Sequence, residues 1–503
     1  ALDLPPLAEA VRYVHRPPPD ASLDQLAAGR HPAQRRLAFE ELLAHHLSLR
    51  LLRRRMRKEN APALAGNGAL RSRFLAGLGF APTRAQARVA DEIRADLAGR
   101  HPMMRLLQGD VGSGKTLVAA LAAIEAVEAG YQAAIMAPTE LLAEQHFRTF
   151  DAWLAPLDVG VAWLAGAQKG KARAAALGAV ESGAAAMVVG THALFQAGVN
   201  FAKLALVIVD EQHRFGVHQR LALRDKGGGL VPHQLIMTAT PIPRTLAMTA
   251  YADLDASVID ELPPGRRPVR TAVMPDTRRV GVVERVRRAC AEGRQAYWVC
   301  PLIEESEALD CEAAEKTHAE LAAALPDFRV ALAHGRLSSR EKERVMRAFK
   351  AGEVDLLVAT TVIEVGVDVP NASLMIIENA ERMGLAQLHQ LRGRVGRGAM
   401  RSDCVLLYRS PLSQTARARL AVLRESTDGF AIAEKDLELR GPGEVLGTRQ
   451  TGELAMRVAD LVRDQDLLPR VRKAAEILLA HHPQRVRPLV RRWIGGGDRY
   501  ARV

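Results

Sequence analysis

The sequence Gly109-Asp110-Val111-Gly112-Ser113-Gly114-Lys115-Thr116 decides the fold of this chain. It follows a short apolar step at residues 104–107 and precedes a helical run at residues 117–129 that ends at Gly130. The pattern G-x-x-x-x-G-K-[S/T] between a strand and a helix is typical of a loop that binds nucleotide phosphates. The glycines let several backbone N–H groups converge on one anion, and the helix N-terminus adds positive potential. A glycine-rich turn that binds nothing is the alternative, which the strand–loop–helix context disfavours.

The same loop carries the side chains that a bound nucleotide needs. Lys115 is placed to reach the β- and γ-phosphates, and the Thr116 hydroxyl is placed to hold Mg²⁺. The phosphates are also predicted to contact Gly109, Gly112, Ser113 and Gly114. The loop alone predicts only that a nucleotide binds.

The composition indicates a large globular protein with a polyanionic partner. Its 503 residues suggest about three domains, and 48% of them are hydrophobic. The net charge of +12 favours nucleic acid as the partner, although an arginine-rich composition could also reflect coding bias. The chain does not begin with Met, so we expect a piece of a longer protein.

Several sequence features predict a cytoplasmic protein that does not span a membrane. No run approaches about 20 apolar residues, and the N-terminus has no basic start followed by an apolar core. The four cysteines show no C-x-x-C spacing, so neither a zinc site nor a disulfide framework is predicted. A reducing compartment fits this cysteine usage.

Short apolar runs alternate with helical patterns in two successive parts of the chain. The strand candidates are residues 133–137, 187–189, 204–209 and 235–237 in the first part, and 296–300, 330–333, 356–360, 374–377 and 405–407 in the second. Continuous apolar runs of this length are typical of buried parallel strands. The sequence Pro263-Pro264-Gly265-Arg266-Arg267-Pro268 has the composition of a hinge. The predicted fold class is therefore α/β, with two tandem parallel-sheet domains.

Both ends of the chain are predicted to be helical extensions. A helix is expected to open at His31-Pro32 and to place Phe39, Leu43 and Leu47 on one apolar face. The basic run at residues 53–58 is either a solvated helix end or a phosphate contact. We expect domains at residues 1–65, 66–264, 265–412 and 413–503.

Two carboxylates follow a predicted buried strand at Asp210 and Glu211. Because strand ends in open parallel sheets face the ligand crevice, these side chains are candidates for nucleotide chemistry. Asp210 is predicted to hold Mg²⁺, and Glu211 to orient or deprotonate the attacking water. A surface turn is the alternative for an isolated Asp-Glu pair. The apolar strand and the upstream phosphate loop favour the catalytic interpretation.

The sequence Gln390-Leu391-Arg392-Gly393-Arg394-Val395-Gly396-Arg397-Gly398 lies in the second α/β part. Guanidinium groups spaced by glycines suit charge stabilisation on a transferring phosphoryl group. Arg394 and Arg397 would then be arginine fingers from a different domain than Lys115. A basic loop that binds nucleic-acid phosphate explains the spacing equally well. If the first interpretation holds, hydrolysis requires closure between the two domains.

These stretches together resemble motifs I, II, III and VI of the superfamily-two helicases, which have RecA-like domains. Motif I contains Lys115, motif II is Asp210-Glu211-Gln212-His213, motif III is Thr238-Ala239-Thr240, and motif VI runs from Gln390 to Arg397. More narrowly, the chain resembles the RecG family of bacterial ATP-dependent DNA helicases from about Phe80 onward. The similarity is carried by PTELLAEQH at 138–146, DEQHRFGV at 210–217, MTATPIPRT at 237–245 and TTVIEVGVDVPNA at 360–372.

The resemblance implies roles for further residues. Gln86 would read adenine, Gly366 and Asp368 would contact the nucleotide, and Gln390 would join Lys115, Glu211, Arg394 and Arg397 in catalysis of ATP hydrolysis. Contacts to DNA are implied for Pro138, Thr139, Gly190, Thr191, His192, Arg214, Phe215, His334, Gly335, Thr360 and Thr361. Contacts to phosphate and sugar suit a motor that must ignore base sequence.

The region at 428–452 resembles the translocation element that RecG shares with the transcription-repair coupling factor. The residues concerned are Phe430, Asp436, Arg440, Gly441, Gly443, Glu444 and Gln450. In that family a helical hairpin and the following loop convert domain closure into movement on duplex DNA. The N-terminal stretch resembles the region after the RecG wedge domain, so the wedge barrel itself is expected to lie before residue 1.

The resemblance implies an ATP-dependent duplex-DNA translocase that remodels branched DNA, at stalled forks and Holliday junctions, in recombination and repair. ATP and Mg²⁺ are the implied cofactors. The implied partners are duplex and branched DNA and a single-stranded DNA-binding protein, with a monomeric, nucleoid-associated state. The alternatives are the motor module of a transcription-repair coupling factor and a DNA-binding module whose helicase core has decayed. Intact Lys115, Asp210 and Glu211 argue against the second alternative.

Overall fold

A computed structural model of the protein describes most of the chain. The described residues are 3–56, 58–166, 168–196, 198–211, 226, 229–239, 254–266, 268–301, 307–360, 369–396, 398, 400–440, 456–461 and 463–494. They divide into two compact units. One unit comprises Ala1–Glu59, Ile242–Asp255 and Asp436–Val503, and the other comprises Asn60–Pro241 and Ala256–Lys435.

The larger unit contains two sheets, of which the first has the strand order β3-β4-β2-β5-β6-β1-β7. Its strands are β1 Met104–Gly109, β2 Gln132–Met136, β3 Val161–Leu164, β4 Met187–Gly190, β5 Leu204–Asp210, β6 His233–Thr238 and β7 Asp255–Ile259. The pairings from β3 through β1 are parallel. The carboxyl ends of these strands therefore lie along one edge of the sheet, where ligands bind in open α/β sheets.

Helices cover this sheet and complete its core. They are Ala69–Gly77, Arg84–Leu97, Lys115–Glu128, Glu140–Leu154 and Gly170–Glu181. Lys115–Glu128 is rich in alanine, and ten of its residues are buried. Small side chains let this helix pack closely against its neighbours, and its Leu117 and Ile124 share one apolar cluster with Ile135 and Ile208. The phosphate loop is therefore fixed between a buried strand and a buried helix.

The second sheet has the strand order β10-β11-β9-β12-β13-β8. Its strands are β8 Arg270–Pro275, β9 Gln295–Val299, β10 Val330–Ala333, β11 Leu356–Ala359, β12 Ala372–Ile377 and β13 Asp403–Tyr408. All of these pairings are parallel. Its helices are Arg279–Ala291, Glu307–Ala324, Ser339–Lys350, Leu385–Arg392 and Gln414–Glu425. Helix Gly429–Arg440 follows, and the boundary between the larger and the smaller unit falls within it, between Lys435 and Asp436.

The smaller unit joins the two ends of the chain in a helical core. Its helices are Leu7–His15, Leu23–Ala27, Pro32–Met56, Leu468–His481 and Pro483–Ile494. Phe39, Leu43 and Leu47 are buried there with Val471 and Leu479. The apolar face that the sequence predicts is thus the face that packs in the structure. Short 3₁₀ helices complete the described fold at Ala155–Leu157, His192–Phe195, Asp276–Arg278, Ala380–Arg382 and Gln465–Leu467.

The structure confirms the predicted fold class, two parallel-sheet α/β domains with helical ends. Each predicted strand is present, with bounds that differ by at most two residues at either end. Three strands, β3, β7 and β8, are absent from the prediction; β3 alternates half-buried with buried positions, and β7 and β8 contain exposed and half-buried positions. Among the described residues, none of the helices is sufficiently long and apolar to cross a membrane.

Candidate active site

The phosphate loop connects the end of β1 to helix Lys115–Glu128 and needs glycine for steric reasons. Gly112 and Gly114 have φ values of 76° and 85°, in the left-handed region that side chains disfavour. A Cβ would also meet the end of the Arg266 side chain at Gly112 and the end of the Gln86 side chain at Gly114. The loop is therefore a tight cradle that only glycine can form at these two positions.

Two side chains brace the loop from inside the protein. The Lys115 ammonium donates to the carbonyl oxygens of Gly109 at 2.6 Å and of Asp110 at 3.1 Å. Gln86 is buried, and its amide nitrogen donates to the Ser113 carbonyl oxygen at 2.8 Å. The Gln86 amide oxygen accepts from the Thr83 N–H and closes a capping box at the start of helix Arg84–Leu97. Gln86 thus ties the loop to the preceding helix, and its predicted contact with adenine stays a prediction.

The residues of the loop fit a bound phosphate group. The Ser113 hydroxyl is buried and has no hydrogen-bond partner among the described residues. The ammonium of Lys115 and the start of a long helix lie beside it. Both features favour an anion in the cradle.

Asp210 ends β5 and is held as a carboxylate. His146 Nε2 lies 2.8 Å from Asp210 Oδ2, and the Glu211 N–H donates to Oδ1 at 3.1 Å. Burial raises the pKa of Asp210, but the hydrogen bond and charge of His146 and the charge of Lys115 outweigh it, so the pKa is lowered. An ionised aspartate is the kind of oxygen ligand that Mg²⁺ prefers.

Glu211 has the opposite electrostatic environment. Burial and the neighbouring Asp210 carboxylate raise its pKa, against the lowering charges of Lys115 and Arg394. Its backbone has a φ of 54°, and its carboxylate accepts from the Ala239 N–H at 3.5 Å. Two adjacent carboxylates with pKa values shifted in opposite directions suit a metal ligand and a general base.

The donor set at this edge fits Mg²⁺ when nucleotide is bound. Thr116 stands in the first turn of helix Lys115–Glu128, and Asp210 ends β5. The described residues contain no group of three or more His, Cys, Asp or Glu that could hold a metal ion by themselves. Mg²⁺ often binds through one or two protein oxygens with substrate phosphates as the other ligands, so the small donor set is sufficient.

The second sheet domain brings motif VI against this site. A Cβ on Gly393 would lie 2.8 Å from the Val111 Cβ of the phosphate loop. Arg394 is close enough to Glu211 for its charge to lower the pKa of that carboxylate. Gln390 is buried on helix Leu385–Arg392, and Arg397 lies outside the described residues. Arg394 therefore lies near Glu211, and its role as an arginine finger stays a prediction.

Two further contacts reach the phosphate loop from the second half of the larger unit. Arg266, in the segment predicted to be a hinge, donates to the Val111 carbonyl oxygen. His389 Nε2 lies 2.7 Å from Asp110 Oδ1. The loop is thus contacted by the interdomain segment and by helix Leu385–Arg392.

The described residues predicted to contact DNA follow the carboxyl ends of strands. Pro138 and Thr139 follow β2, and Gly190, Thr191 and His192 end or follow β4. His334 and Gly335 follow β10, and Thr360 follows β11. Thr191 Oγ1, His334 Nδ1 and Thr360 Oγ1 are buried without a hydrogen-bond partner among the described residues. Such atoms leave hydrogen-bonding capacity for a ligand.

Some predicted residues lie outside the described part of the chain. They are Arg214, Phe215, Thr361, Gly366, Asp368, Arg397, Gly441, Gly443, Glu444 and Gln450. Of the predicted translocation residues, Phe430, Asp436 and Arg440 belong to helix Gly429–Arg440. Phe430 is half-buried and Asp436 is buried.

The sequence did not single out four residues that the structure places at the site. They are His146, Arg266, His389 and Arg392. His146 and Arg392 occur within motifs that carry the resemblance, but nothing in a single sequence pairs them with their partners. Histidines bonded to the phosphate loop and to motif II become visible only when the strands and helices are assembled.

Sequence models of three families match the chain. The model of the DEAD/DEAH box helicases matches residues 83–249, and that of the helicase conserved C-terminal domain matches residues 281–399. The model of ATP-dependent DNA helicase RecG, domain 3, C-terminal, matches residues 426–492. Together these matches cover β1–β6 of the first sheet, β9–β12 of the second and most of the C-terminal helical region.

Relatives and a solved structure point to the same family. The chain is 64% identical over 498 residues to the ATP-dependent DNA helicase RecG of Escherichia coli (strain K12), covering 98% of this chain and 72% of that protein. The RecG of Haemophilus influenzae is 60% identical over the same shares of both chains. A solved structure of RecG bound to a three-way DNA junction has a TM-score of 0.74 and 44% identity. That match covers 87% of this chain and 57% of the other.

The site geometry and the similarity along the chain agree. The phosphate loop, the Asp210-Glu211 pair and Arg394 come together as the helicase motifs require, and a relative 64% identical is covered over 72% of its length. The chain therefore belongs to the RecG family of ATP-dependent DNA helicases.

Proposed function

We propose that this chain is an ATP-driven motor that moves along duplex DNA and remodels branched DNA, such as stalled forks and Holliday junctions. One observation carries the proposal: motif VI of the second sheet domain lies against the phosphate loop of the first, with Gly393 beside Val111 and His389 Nε2 2.7 Å from Asp110 Oδ1. A site shared between two domains links nucleotide state to domain position. The RecG relative that binds a three-way junction supplies the substrate class.

In this mechanism each residue acts on the transferring phosphoryl group in a distinct way. Lys115 and the loop backbone bind the β- and γ-phosphates, and Thr116 and Asp210 would hold Mg²⁺, which neutralises developing charge. Glu211 orients and deprotonates the attacking water. Arg394 stabilises the charge of the transition state, with Arg397 and Gln390 as further contributors. Gln86, Gly366 and Asp368 are proposed to contact the nucleotide.

DNA would run along the edge where the strands end. Pro138, Thr139, Gly190, Thr191 and His192 would contact it from the first sheet domain, together with Arg214 and Phe215. His334, Gly335, Thr360 and Thr361 would contact it from the second. Backbone-directed contacts from both domains suit a motor that advances one domain at a time.

The C-terminal region is proposed to convert closure into movement. The translocation residues would be Phe430, Asp436 and Arg440 on helix Gly429–Arg440, followed by Gly441, Gly443, Glu444 and Gln450. The proposed domains are residues 1–65, 66–264, 265–412 and 413–503.

The finer properties of the protein are proposals as well. We propose that it acts as a monomer in the cytoplasm, associated with the nucleoid, and that a single-stranded DNA-binding protein recruits it. The net charge of +12 supports a location on nucleic acid. The two alternatives, a coupling-factor motor and a decayed core, are not favoured, since the relatives described above are named RecG helicases.

The decisive experiment measures ATP hydrolysis with forked, linear duplex and single-stranded DNA of equal length. We expect forked DNA to stimulate the rate most. Lys115→Ala and Arg394→Ala should each lower the stimulated kcat by about a hundredfold or more, since each removes a charge from the transition state. Glu476→Gln, an exposed change on helix Leu468–His481, is the matched control. Rates for Lys115→Ala equal to those of the wild type would overturn the enzyme proposal.

A further inference from the structure

A continuous series of hydrogen bonds leads from the phosphate loop through motif VI toward the C-terminal helix. Asp110 Oδ1 lies 2.7 Å from His389 Nε2, and His389 Nδ1 lies 2.8 Å from Arg392 Nη2. Arg392 Nη1 then donates to the carbonyl oxygens of Leu423 at 2.9 Å and Ser426 at 2.8 Å. All of these residues belong to the larger unit.

The series continues from Ser426 to the first turn of helix Gly429–Arg440. The Ser426 hydroxyl accepts from the Asp428 N–H at 3.1 Å. The Asp428 carboxylate accepts in turn from the Phe430 N–H at 2.9 Å, which satisfies a donor that the helix start leaves open. Phe430 is the first of the proposed translocation residues. The chain of contacts therefore joins the nucleotide loop to the start of that helix.

The chemistry of the series fixes the form of His389. An arginine can only donate, so His389 Nδ1 must accept from Arg392 and carries no proton. His389 Nε2 then carries the proton and donates to Asp110, and the ring is neutral. Burial raises the pKa of Asp110, but its hydrogen bonds with His389 and with the Val111 N–H and the charge of Lys115 lower it by more, so the pKa is lowered. Each atom thus has one role, and no member can be replaced without breaking a link.

Burial makes the series costly to break. His389 and Arg392 are both buried, with 4% of their surface exposed. Removing one partner of a buried charged group leaves the other uncompensated, which is strongly unfavourable. The neutral imidazole of His389 bonds to both Asp110 and Arg392. Through it, the negative charge of Asp110 compensates the buried guanidinium of Arg392. A shift of the phosphate loop away from His389 would therefore disturb Arg392 and the backbone that it holds.

We propose that Asp110, His389 and Arg392 form a positioning relay that couples the state of the phosphate loop to the start of helix Gly429–Arg440. None of the three acts on the reacting atoms; each holds another group in place. The relay rests on the proposed function, since it names residues through which the ATP site governs the translocation helix. The phosphate loop and the start of helix Gly429–Arg440 both act on one buried group, the guanidinium of Arg392. This shared group is the energetic basis of the relay.

Two substitutions of His389 break the relay at different links. His389→Gln keeps a donor near the position of Nε2 for Asp110 but loses the acceptor for Arg392. His389→Asn keeps an acceptor near Nδ1 for Arg392 but loses the donor for Asp110. A relay needs both links, so both variants should behave like His389→Ala. His318→Ala is the matched control, since His318 lies in the same sheet domain and contacts the Val330 carbonyl oxygen.

The first measurement is hydrogen exchange of the amides at residues 429–433, with and without a non-hydrolysable ATP analogue. In the wild type and in His318→Ala the analogue should change the exchange rate by about fivefold or more, the lower range of allosteric coupling. In the three His389 variants this change should disappear, while the analogue still protects the phosphate loop. No response at 429–433 in the wild type, or a full response in all three His389 variants, would overturn the relay.

The second measurement separates the relay from local packing and from the proposed function. DNA-stimulated hydrolysis and displacement of a third strand from duplex DNA are measured together, and their ratio is the coupling. The His389 variants should keep the KM for ATP and lose about fivefold or more in the ratio. If His389→Asn kept the wild-type ratio while His389→Gln and His389→Ala lost it, the role of His389 would be reduced to anchoring Arg392. Absence of DNA-stimulated hydrolysis in the wild type would instead refute the proposed function.

Discussion

At the scale of single residues, the site works because two neighbouring carboxylates have different environments. Asp210 accepts from His146 and stays ionised, whereas Glu211 is buried beside that negative charge and has a raised pKa. Each shift suits its proposed role, since a metal ligand must be ionised and a general base is best with a pKa nearer to the working pH. Arg394 links the pair to the other domain because its charge lowers the pKa of Glu211.

The pH dependence of hydrolysis should report the raised pKa of Glu211. The base is active only when ionised, so kcat should fall as the pH drops through this pKa, above the ordinary range of a glutamate. Arg394→Ala removes a lowering charge, so the acid limb should move to higher pH; Arg394→Lys keeps the charge and should leave the limb in place. The measurement is a pH profile of DNA-stimulated kcat for all three proteins. Acid limbs that coincide in the wild type and in Arg394→Ala would contradict the assignment of Glu211 as the titrating base.

His146 should control the affinity for Mg²⁺ without touching nucleotide. His146→Ala removes the bond to Asp210 Oδ2, which frees the carboxylate to rotate and raises its pKa. Loss of such a supporting contact typically costs about 10- to 100-fold in metal affinity. A titration of ATPase activity with MgCl₂ should show this weakening. His146→Gln retains a donor and should recover most of the affinity; equal losses in both variants would argue against an orienting role.

At the scale of helices and loops, one buried carboxylate fixes the backbone at residues 457–459. Glu41, on helix Pro32–Met56, accepts from the N–H groups of Arg457 at 2.7 Å, Val458 at 2.8 Å and Ala459 at 2.8 Å. Only 1% of its surface is exposed. Hence the N-terminal helix holds the chain directly after the proposed translocation residues, and both belong to the smaller unit.

Substitution of Glu41 should loosen this anchor. Glu41→Ala leaves three backbone donors without their charged acceptor, and we expect a loss of roughly 3 kcal/mol in the stability of the smaller unit. Urea unfolding followed by hydrogen exchange at residues 457–459 measures the effect. Glu476→Gln, an exposed change in the same unit, should leave the exchange unaltered. Unchanged protection of these amides in Glu41→Ala would show that the anchor is not needed.

The elements differ in how far the sequence could predict them. β2, β4 and β5 contain continuous apolar runs, which predict buried strands. β3 is also an apolar run, of four residues, yet it is absent from the prediction, whereas β8 is an exposed to half-buried strand at a sheet edge and lacks that signal. The site divides in the same way. Lys115, Asp210 and Glu211 sit in local motifs, whereas the pairing of His146 with Asp210 spans 64 positions in sequence and depends on tertiary packing.

At the scale of the whole motor, the two sheet domains make close contacts at the phosphate loop. Gly393 lies against Val111, His389 against Asp110, and Arg266 against the carbonyl oxygen of Val111. All of these contacts involve two adjacent residues of the phosphate loop. A nucleotide that changes the loop would therefore change the fit between the domains directly.

Gly393 provides the sharpest test of this closure. Its φ of −68° suits any residue, so alanine brings no backbone strain, but the new Cβ would lie 2.8 Å from Val111 Cβ. Gly393→Ala should hold the domains apart and lower DNA-stimulated kcat by about tenfold or more, since Arg394 would be misplaced relative to Glu211. Gly281→Ala is the matched control, because nothing lies within 4 Å of its Cβ position. Val111→Gly removes the opposing side chain, so the double variant should regain activity that Gly393→Ala loses. Full activity in Gly393→Ala, or no recovery in the double variant, would mean that hydrolysis does not depend on this close approach.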